Sequence, residues 1–257
     1  FTGSLTFRFS DAIALSLGVG GLPGSHSMMG NWPLWAGTER SIGDDYIKPG
    51  YSQGIWIEGR LRPKLYYKLM VANNINAVGI DPGQLDKRLD TISGALWWMP
   101  GTGEWGPRNG AYGDYEMHAT PATLFGLHYT HSTEERFSQV NGGFENTIIR
   151  LSDGLALFAE GALAPGLTLN EVVYDSGTLE AGYKHQGLSL HAEWFWRNLS
   201  RFRADGPVPF DNLFEHSVVL NASMMVVPQA LEVYGRGSYI WGEFREPWDL
   251  AGGVNWY

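Results

Sequence analysis

The sequence predicts an all-β fold, in the form of a transmembrane antiparallel β-barrel. Three observations lead to this prediction. Many segments alternate apolar with polar residues, short turns alternate with long polar loops, and no stretch approaches the ~18 apolar residues of a membrane helix. A sheet can span a membrane only as a closed barrel, and such barrels have one short-turn end and one long-loop end.

The clearest hairpin is predicted for residues 179–196. Because side chains alternate along a strand with a period of two, its second strand separates into two faces. The apolar face holds Leu188, Leu190, Ala192, Trp194 and Trp196. The polar face holds Ser189, His191, Glu193, Phe195 and Arg197. The turn before this strand is short, residues 184–187.

The same reasoning predicts about thirteen strands along the chain. They cover residues 4–10, 11–18, 52–62, 64–73, 89–99, 115–120, 122–131, 145–151, 177–185, 187–198, 215–227, 229–241 and 248–257. Short connections are predicted at residues 10–11, 63, 121, 185–187 and 228–229. Long connections are predicted at 19–51, 74–88, 100–114, 132–144, 152–176, 199–214 and 242–247, and they are rich in Gly, Pro, Asn and Asp.

The composition agrees with a barrel. Charged residues make up only 18% of the chain, against roughly 25% in a soluble domain. The 11 Trp and 12 Tyr suit the aromatic belts at a membrane–water interface. The absence of cysteine excludes disulfides, thiolate metal sites and cysteine nucleophiles, and the net charge of -9 argues against a nucleic-acid partner.

Several segments carry a resemblance to a known family. They are Asp114-Tyr115-Glu116-Met117-His118-Ala119-Thr120-Pro121-Ala122, Arg150-Leu151-Ser152-Asp153-Gly154-Leu155, residues 161–168, residues 202–207 and residues 253–257. Together they resemble the phosphate-selective porin O/P-like family of outer-membrane proteins, over about residues 11–257. The resemblance implies a barrel of roughly 16 strands, usually trimeric, with a loop folded inward to narrow the pore.

The sequence departs from that family in two respects. The predicted strand number is odd, whereas single-chain bacterial barrels have an even number, so we expect residues 1–257 to form one barrel domain that is a portion of a larger barrel. The chain has only 18 Lys and Arg residues and no Lys-rich constriction loop, so phosphate selectivity is not carried over.

Strand parity predicts which charged side chains line the lumen of the barrel. The predicted pore-lining residues are Arg8, Glu58, Arg60, Arg62, Lys68, Arg150, Glu180, Lys184, Glu193, Arg197, Glu232 and Arg236. Because eight of these are basic and four acidic, while most other acidic residues fall in loops, we expect a weak preference for anions. The alternative is that these charges pair across strands and only keep the interior wet.

Other motifs have weaker functional interpretations. The loop at 19–51 contains Trp32 and Trp35, and it is expected to cap the barrel or contact a neighbouring subunit more than to form a constriction. Asp44-Asp45 lacks the ligand spacing of a calcium loop. His118, His128 and His131 lack a completing carboxylate pattern, and no metal, cofactor or catalytic residue is predicted.

Three functions therefore remain open. The first is an outer-membrane porin for passive diffusion of small hydrophilic solutes or ions, forming a homotrimer among outer-membrane lipid and lipopolysaccharide. The second is a plugged or structural barrel that partners an envelope complex. The third is a soluble Trp-rich β-sandwich that binds carbohydrate. An uncharged band about 25 Å tall favours a barrel, and a closed apolar core between two sheets favours the sandwich.

Overall fold

The computed structural model describes residues 3–29, 39–76, 88–105, 112–136 and 149–257. Its eleven strands form one antiparallel sheet in which every strand pairs with its neighbours in sequence, in the order β1 to β11. The strands are β1 (Gly3–Arg8), β2 (Ala14–Gly21), β3 (Tyr51–Arg62), β4 (Leu65–Ala72), β5 (Thr91–Trp98), β6 (Ala122–Glu135), β7 (Leu169–His185), β8 (Leu188–Ala204), β9 (Asn212–Val227), β10 (Leu231–Trp241) and β11 (Trp248–Trp256).

Two of the predicted strands are wrong. Residues 115–120 form turns and bends, and the described part of 145–151 carries only an isolated bridge between Arg150 and Ala156. Both segments are short, and neither has a strand partner in the sheet. Strand length was also underestimated, because β7 and β8 each reach 17 residues. Their outer halves lie in segments that the composition assigned to loops.

Four of the five predicted short turns lie between paired strands, and the turn predicted at residue 121 is wrong because residues 115–120 form no strand. Gln186 and Gly187 join β7 to β8, and both have positive φ, 50° and 87°. That is the backbone of a type I′ turn, whose twist matches the two flanking strands. Pro63 and Lys64 join β3 to β4 at this end of the sheet, and of these two only Lys64 has positive φ, 67°.

The division into a short-turn end and a long-loop end holds, with one correction. The connection between β5 and β6, residues 99–121, begins and ends at the short-turn end of the sheet. The long connection predicted at 100–114 is therefore not one of the loops at the long-loop end. The long-loop end carries residues 22–50, 73–90 and 136–168. The proposed inward fold of residues 30–37 lies outside the described residues.

The apolar face of the sheet is exposed. In β8 it consists of Leu188, Leu190, Ala192, Trp194 and Trp196, as predicted, and in β9 to β11 it contains no Asp, Glu, Lys or Arg. From Leu188 to Trp196 the strand rises about 26 Å. Thirty or more large apolar side chains of this kind are exposed, including Leu220 at 56% and Leu250 at 79%.

The polar face is covered instead by segments between strands. Two short helices, α1 (His26–Met29) and α2 (Ile42–Ile47), lie in the segment between β2 and β3. The Pro23 carbonyl oxygen lies 3.0 Å from His128 Nδ1 on β6, and the Gly24 carbonyl oxygen accepts a hydrogen bond from Thr178 on β7. Ser217 on β9 donates a hydrogen bond to the Gly43 carbonyl oxygen. This segment therefore crosses the polar face from β6 to β9.

An apolar cluster lies towards the long-loop end. Residues 149–169 contribute Leu151, Leu157 and Phe158, all at most 2% exposed, which pack with residues of several strands. Their partners include Trp56, Met70, Tyr174, Leu199 and Leu213. The main apolar core thus joins a loop segment to the ends of strands.

The described strands form one sheet, whereas the sandwich interpretation needs two. The sheet is open, because β1 pairs only with β2 and β11 pairs only with β10 among the described residues. No helix in the described part of the chain is long and apolar enough to cross a membrane. The fold is therefore all-β with a buried polar face and an exposed apolar face.

Packing of the 99–105 segment against the sheet predicts the effect of one substitution. A Cβ atom at Gly182 would lie 2.2 Å from the Trp105 ring. We expect Gly182→Ala to lower the free energy of unfolding by about 1–3 kcal/mol in urea titrations, because the buried indole has to move. The control is Gly235→Ala, since a Cβ there meets no atom within 4 Å. Equal stability of the two variants would contradict this packing.

Candidate functional site

The predicted lining residues divide into two regions of the polar face. Four of them, Arg8, Glu58, Arg60 and Lys68, lie on β1, β3 and β4, and we call them the open polar region. The prediction for Arg62 is wrong, because a bulge after Arg60 places Arg62 opposite Leu65, in the row of Trp98 on the exposed face. Six others, Glu180, Lys184, Glu193, Arg197, Glu232 and Arg236, lie on β7, β8 and β10 and are buried; with their partners they form the buried network. Arg150 belongs to neither, because it is exposed and lies outside the strands.

The open polar region remains accessible and is mostly basic. Glu58 and Lys68 are directly opposite each other in the β3–β4 register, with their charged atoms 3.8 Å apart. Arg60 pairs with Asp11 at 2.8 Å and keeps 46% of its side chain exposed. Arg8 is exposed as well, whereas the Lys68 side chain is only 13% exposed. An exposed pair such as Arg60–Asp11 contributes little stability, so the charges of Arg8 and Arg60 are available to a solute.

The buried network contains an ion pair at its long-loop side. Arg197 on β8 and Glu215 on β9 are directly opposite each other and form a salt bridge with side chains at most 1% exposed. The Tyr46 hydroxyl of α2 donates to Glu215 at 2.6 Å, and the Arg197 guanidinium lies over the Tyr46 ring. Burial raises the pKa of the Tyr46 phenol above its ordinary value. This pair therefore anchors α2 to the sheet.

Lys184 marks the short-turn side of the network. Its ammonium group donates to the Trp105 carbonyl oxygen and lies 4.5 Å from the centre of the Trp105 ring. Ser189 donates to the Tyr112 carbonyl oxygen, and the Gly187 amide donates to Asp114 at 2.8 Å. The segments 99–105 and 112–121 are thus held against the polar face by β7 and β8.

Three histidines surround one carboxylate at the centre of the network. Glu180 Oε1 lies 2.9 Å from His128 Nε2, and Glu180 Oε2 lies 3.0 Å from His191 Nε2. The same Oε2 lies 2.9 Å from Nδ1 of His26, which comes from α1 and not from the sheet. Gly126 leaves room for this arrangement, because a Cβ there would lie 2.1 Å from Glu180 Oε1. We call these four residues the histidine–glutamate cluster.

A second carboxylate lies beside the cluster. Glu193 is opposite Glu180 in the β7–β8 register, and its Oε1 accepts a hydrogen bond from the His26 amide at 3.1 Å. The Tyr112 ring packs edge-on against both His26 and His191. Burial raises the pKa of the Tyr112 phenol well above its usual value, and the nearby carboxylates of Glu193 and Asp44 raise it further. The cluster is therefore buried, and further carboxyl groups lie close to it.

The remaining lining residues have partners at the β10–β11 side. Glu232 accepts hydrogen bonds from Asn255 and from the Tyr257 hydroxyl, at 2.9 and 2.7 Å. Arg236 contacts Asp249 at 3.2 Å and donates to the Glu39 carbonyl oxygen. For this half of the predicted set, the interpretation as paired charges describes the structure better than a free lumen lining.

The other motifs have local roles. His118 pairs with Asp114 and His131 with Asp175, so the three histidines considered in the sequence contact three different carboxylates. Asp44 is buried, accepts from Ser25 and lies 3.5 Å from Arg40, whereas Asp45 is exposed beside Lys48. Both residues of this acidic pair therefore lie in α2, and each contacts another side chain.

Sequence reasoning missed half of the cluster. The alternation of apolar and polar residues placed His191 on the polar face of its strand. The same alternation of faces, applied to β6, would have placed His128 there too, because His128 lies in the same cross-strand row as Lys68. His26 had no signal of its own, because it lies in a Gly- and Ser-rich segment 102 residues before His128. The donor set of imidazole and carboxylate can hold a proton or a divalent first-row metal ion.

Comparison of the chain with protein-family models, with curated proteins and with solved structures finds no match. The resemblance to phosphate-selective porins therefore stays a prediction from the motifs quoted above.

The Arg197–Glu215 pair predicts a large effect of removing one partner. We expect Arg197→Met to lower the free energy of unfolding by about 3–5 kcal/mol, because Glu215 would remain buried without its countercharge. The double variant Arg197→Met/Glu215→Leu should regain much of this loss. The control is Arg203→Ala, since that exposed pair with Glu171 should contribute at most about 1 kcal/mol. A purely additive double variant would show that the two groups are not coupled.

Proposed function

We propose that this chain forms the wall of an outer-membrane β-barrel channel for small hydrophilic solutes or ions. The observation that carries the proposal is the orientation of the sheet, which exposes its apolar face across eleven strands and has polar side chains, partly covered by loop segments, on the other face. In water this arrangement would leave a very large apolar patch unburied. In a bilayer the same face contacts lipid, and the charge-free stretch of β8 matches the apolar band of about 25 Å.

Aromatic side chains support this placement. Tyr129, Trp196, His216 and Trp241 lie in one cross-strand row near the long-loop side of the exposed face, and His216 stacks on Trp241 at 4.7 Å. Trp98 and Phe125 lie together near the short-turn side, 5.7 Å apart. Two aromatic groups flanking an apolar stretch are typical of a barrel that has an interface at each end.

A bilayer also requires that the edges of the sheet be paired, because an open edge leaves backbone groups unsatisfied in hydrocarbon. We therefore propose that further strands cover β1 and β11, as in a larger barrel. The expectation of a homotrimer in contact with lipopolysaccharide rests on the family resemblance and is part of this proposal.

The solute path follows the open polar region in this proposal. The polar face of β6 to β10 is filled by buried side chains such as Lys184, Phe195 and Arg197. The side of β1 to β4 keeps Arg8 and Arg60 accessible, with Asp11, Glu58 and Lys68 beside them. Three basic groups and two acidic groups in this region favour weak selectivity for anions.

A second candidate is a plugged structural barrel. The specific observation in its favour is that segments 22–29, 39–50, 99–105 and 112–121 all contact the polar face, while residues 149–169 cover its long-loop end. The two candidates share the same wall and differ only in whether ions pass.

Conductance and reversal potential test the path. We expect the full-length protein in planar bilayers to conduct, with a reversal potential that indicates weak anion preference in a salt gradient. The double variant Arg8→Ser/Arg60→Ser should lose that preference, because it removes two accessible positive charges, whereas Arg150→Ser should keep it. Clear cation selectivity of the wild type would contradict the assigned path. Membrane-inserted protein without conductance would favour the plugged barrel.

Insertion of a charge into the exposed face tests the membrane placement. Leu220 is 56% exposed near the middle of β9. We expect Leu220→Arg to destabilise the protein in phospholipid vesicles by about 2–4 kcal/mol, the cost of a cation near the bilayer midplane. Leu220→Met is the matched control and should have a small effect. A protein that is soluble without detergent, and in which Leu220→Arg is harmless, would contradict the proposal.

A further inference from the structure

We propose that the histidine–glutamate cluster is a binding site for a divalent first-row metal ion, with Zn²⁺ as the ion it fits best. The ligands are His26, Glu180 and His191, whose coordinating atoms lie within 4.8 Å of one another. All three side chains are at most 5% exposed. Two imidazoles and a carboxylate are a known ligand set for zinc.

The first argument concerns the geometry at His26. Its Nδ1 lies 2.9 Å from Glu180 Oε2, yet neither ring nitrogen makes a hydrogen bond to another described residue. A buried imidazole without a hydrogen-bond partner is costly, and a network kept only for stability would avoid it. Two ligands of one ion are close in this way because their lone pairs point at the ion instead of at each other.

The separations between ligand atoms fit with a small adjustment. Glu180 Oε2 lies 2.9 Å from His26 Nδ1 and 3.0 Å from His191 Nε2. Tetrahedral zinc with bonds of about 2.0–2.1 Å separates its ligand atoms by about 3.4 Å. These two separations therefore have to lengthen by only about half an ångström, and the ligand atoms of His26 and His191 lie within 4.8 Å of each other.

The second argument concerns protons. His128 Nδ1 faces the Pro23 carbonyl oxygen at 3.0 Å, and His128 Nε2 faces Glu180 Oε1 at 2.9 Å. Both neighbours accept hydrogen bonds, the carbonyl oxygen through its lone pairs and Glu180 through its carboxylate oxygen. In the site this residue orients the Glu180 carboxylate from the side opposite the ion, as outer-shell partners of metal ligands do.

The third argument concerns charge. Glu180 and Glu193 are both buried next to the two ligand histidines, and Asp44 lies nearby. A divalent cation would offset the negative charge of the buried Glu180 carboxylate. The chain contains no cysteine, so the donor set excludes the softer thiolate sites and favours zinc, nickel, iron or manganese.

The position of His26 gives the site a role. His26 is the only one of the three ligands outside the sheet, and it lies on the segment that covers the polar face. An ion bound by one ligand from this segment and two from the sheet would hold the segment in place. Because the site is closed, metal binding and docking of residues 22–29 are coupled, and the ion enters as the segment folds onto the sheet.

The test uses the full-length protein in detergent, unfolded and refolded with a slight excess of Zn²⁺, followed by measurement of bound zinc per chain. We expect about one zinc per chain. His26→Ala and His191→Ala should each lower the affinity by at least tenfold, and His128→Ala by about 10- to 100-fold, the usual effect of an outer-shell partner. His131→Ala and His216→Ala are the matched controls, because these histidines lie outside the cluster, and both should bind as the wild type does.

A second measurement locates the ion. Removal of zinc with a chelator should increase amide hydrogen exchange in residues 22–29, and zinc should restore the protection in the wild type but not in His26→Ala. His26 lies outside the strands, so we expect His26→Ala to keep the sheet even if His191→Ala fails to fold. Less than about 0.1 zinc per chain in the wild type, or binding that survives in both His26→Ala and His191→Ala, would overturn the proposal. Conductance is independent of this result, so the channel and the metal site can fail separately.

Discussion

The buried polar face is the constraint on which the rest of this structure depends. Polar and charged side chains removed from water need partners, and leaving one without a partner costs about 1–3 kcal/mol or more. The chain meets this need by bringing loop segments back onto the sheet. Backbone groups of residues 23–26 and 39–43, and those of Trp105 and Tyr112, accept or donate hydrogen bonds to strand side chains. The loops are therefore part of the interior.

This constraint explains why the predicted lumen divides into two regions. On β7, β8 and β10 the charges meet each other and the covering segments, as Arg197 does with Glu215 and Tyr46. On β1 and β3 the charges of Arg8 and Arg60 remain exposed. The two regions differ because loop segments pack against the buried network and leave the open polar region uncovered. In the proposed channel, ions would therefore pass along the open polar region.

The histidine–glutamate cluster links the covering segment to the wall. Glu180 receives contacts from β6, from β8 and from α1, so a single side chain connects three parts of the molecule. Because Glu193 fixes the His26 amide, the segment is held both through its backbone and through its side chain. A metal ion at this point would make the covered state of the polar face depend on the supply of that ion.

The sequence by itself determined the sheet, its antiparallel order and the division of its faces. The alternation from Leu188 to Arg197 assigned each side chain of that strand to the correct face, because a period of two leaves no other choice. Strand ends were less predictable, since the outer halves of β7 and β8 are polar and resemble loops. Only the tertiary structure decided that 99–121 returns to the short-turn end and that His26 meets Glu180, 154 residues away. Such contacts depend on how loops fold onto a finished sheet, and no local pattern in the sequence encodes them.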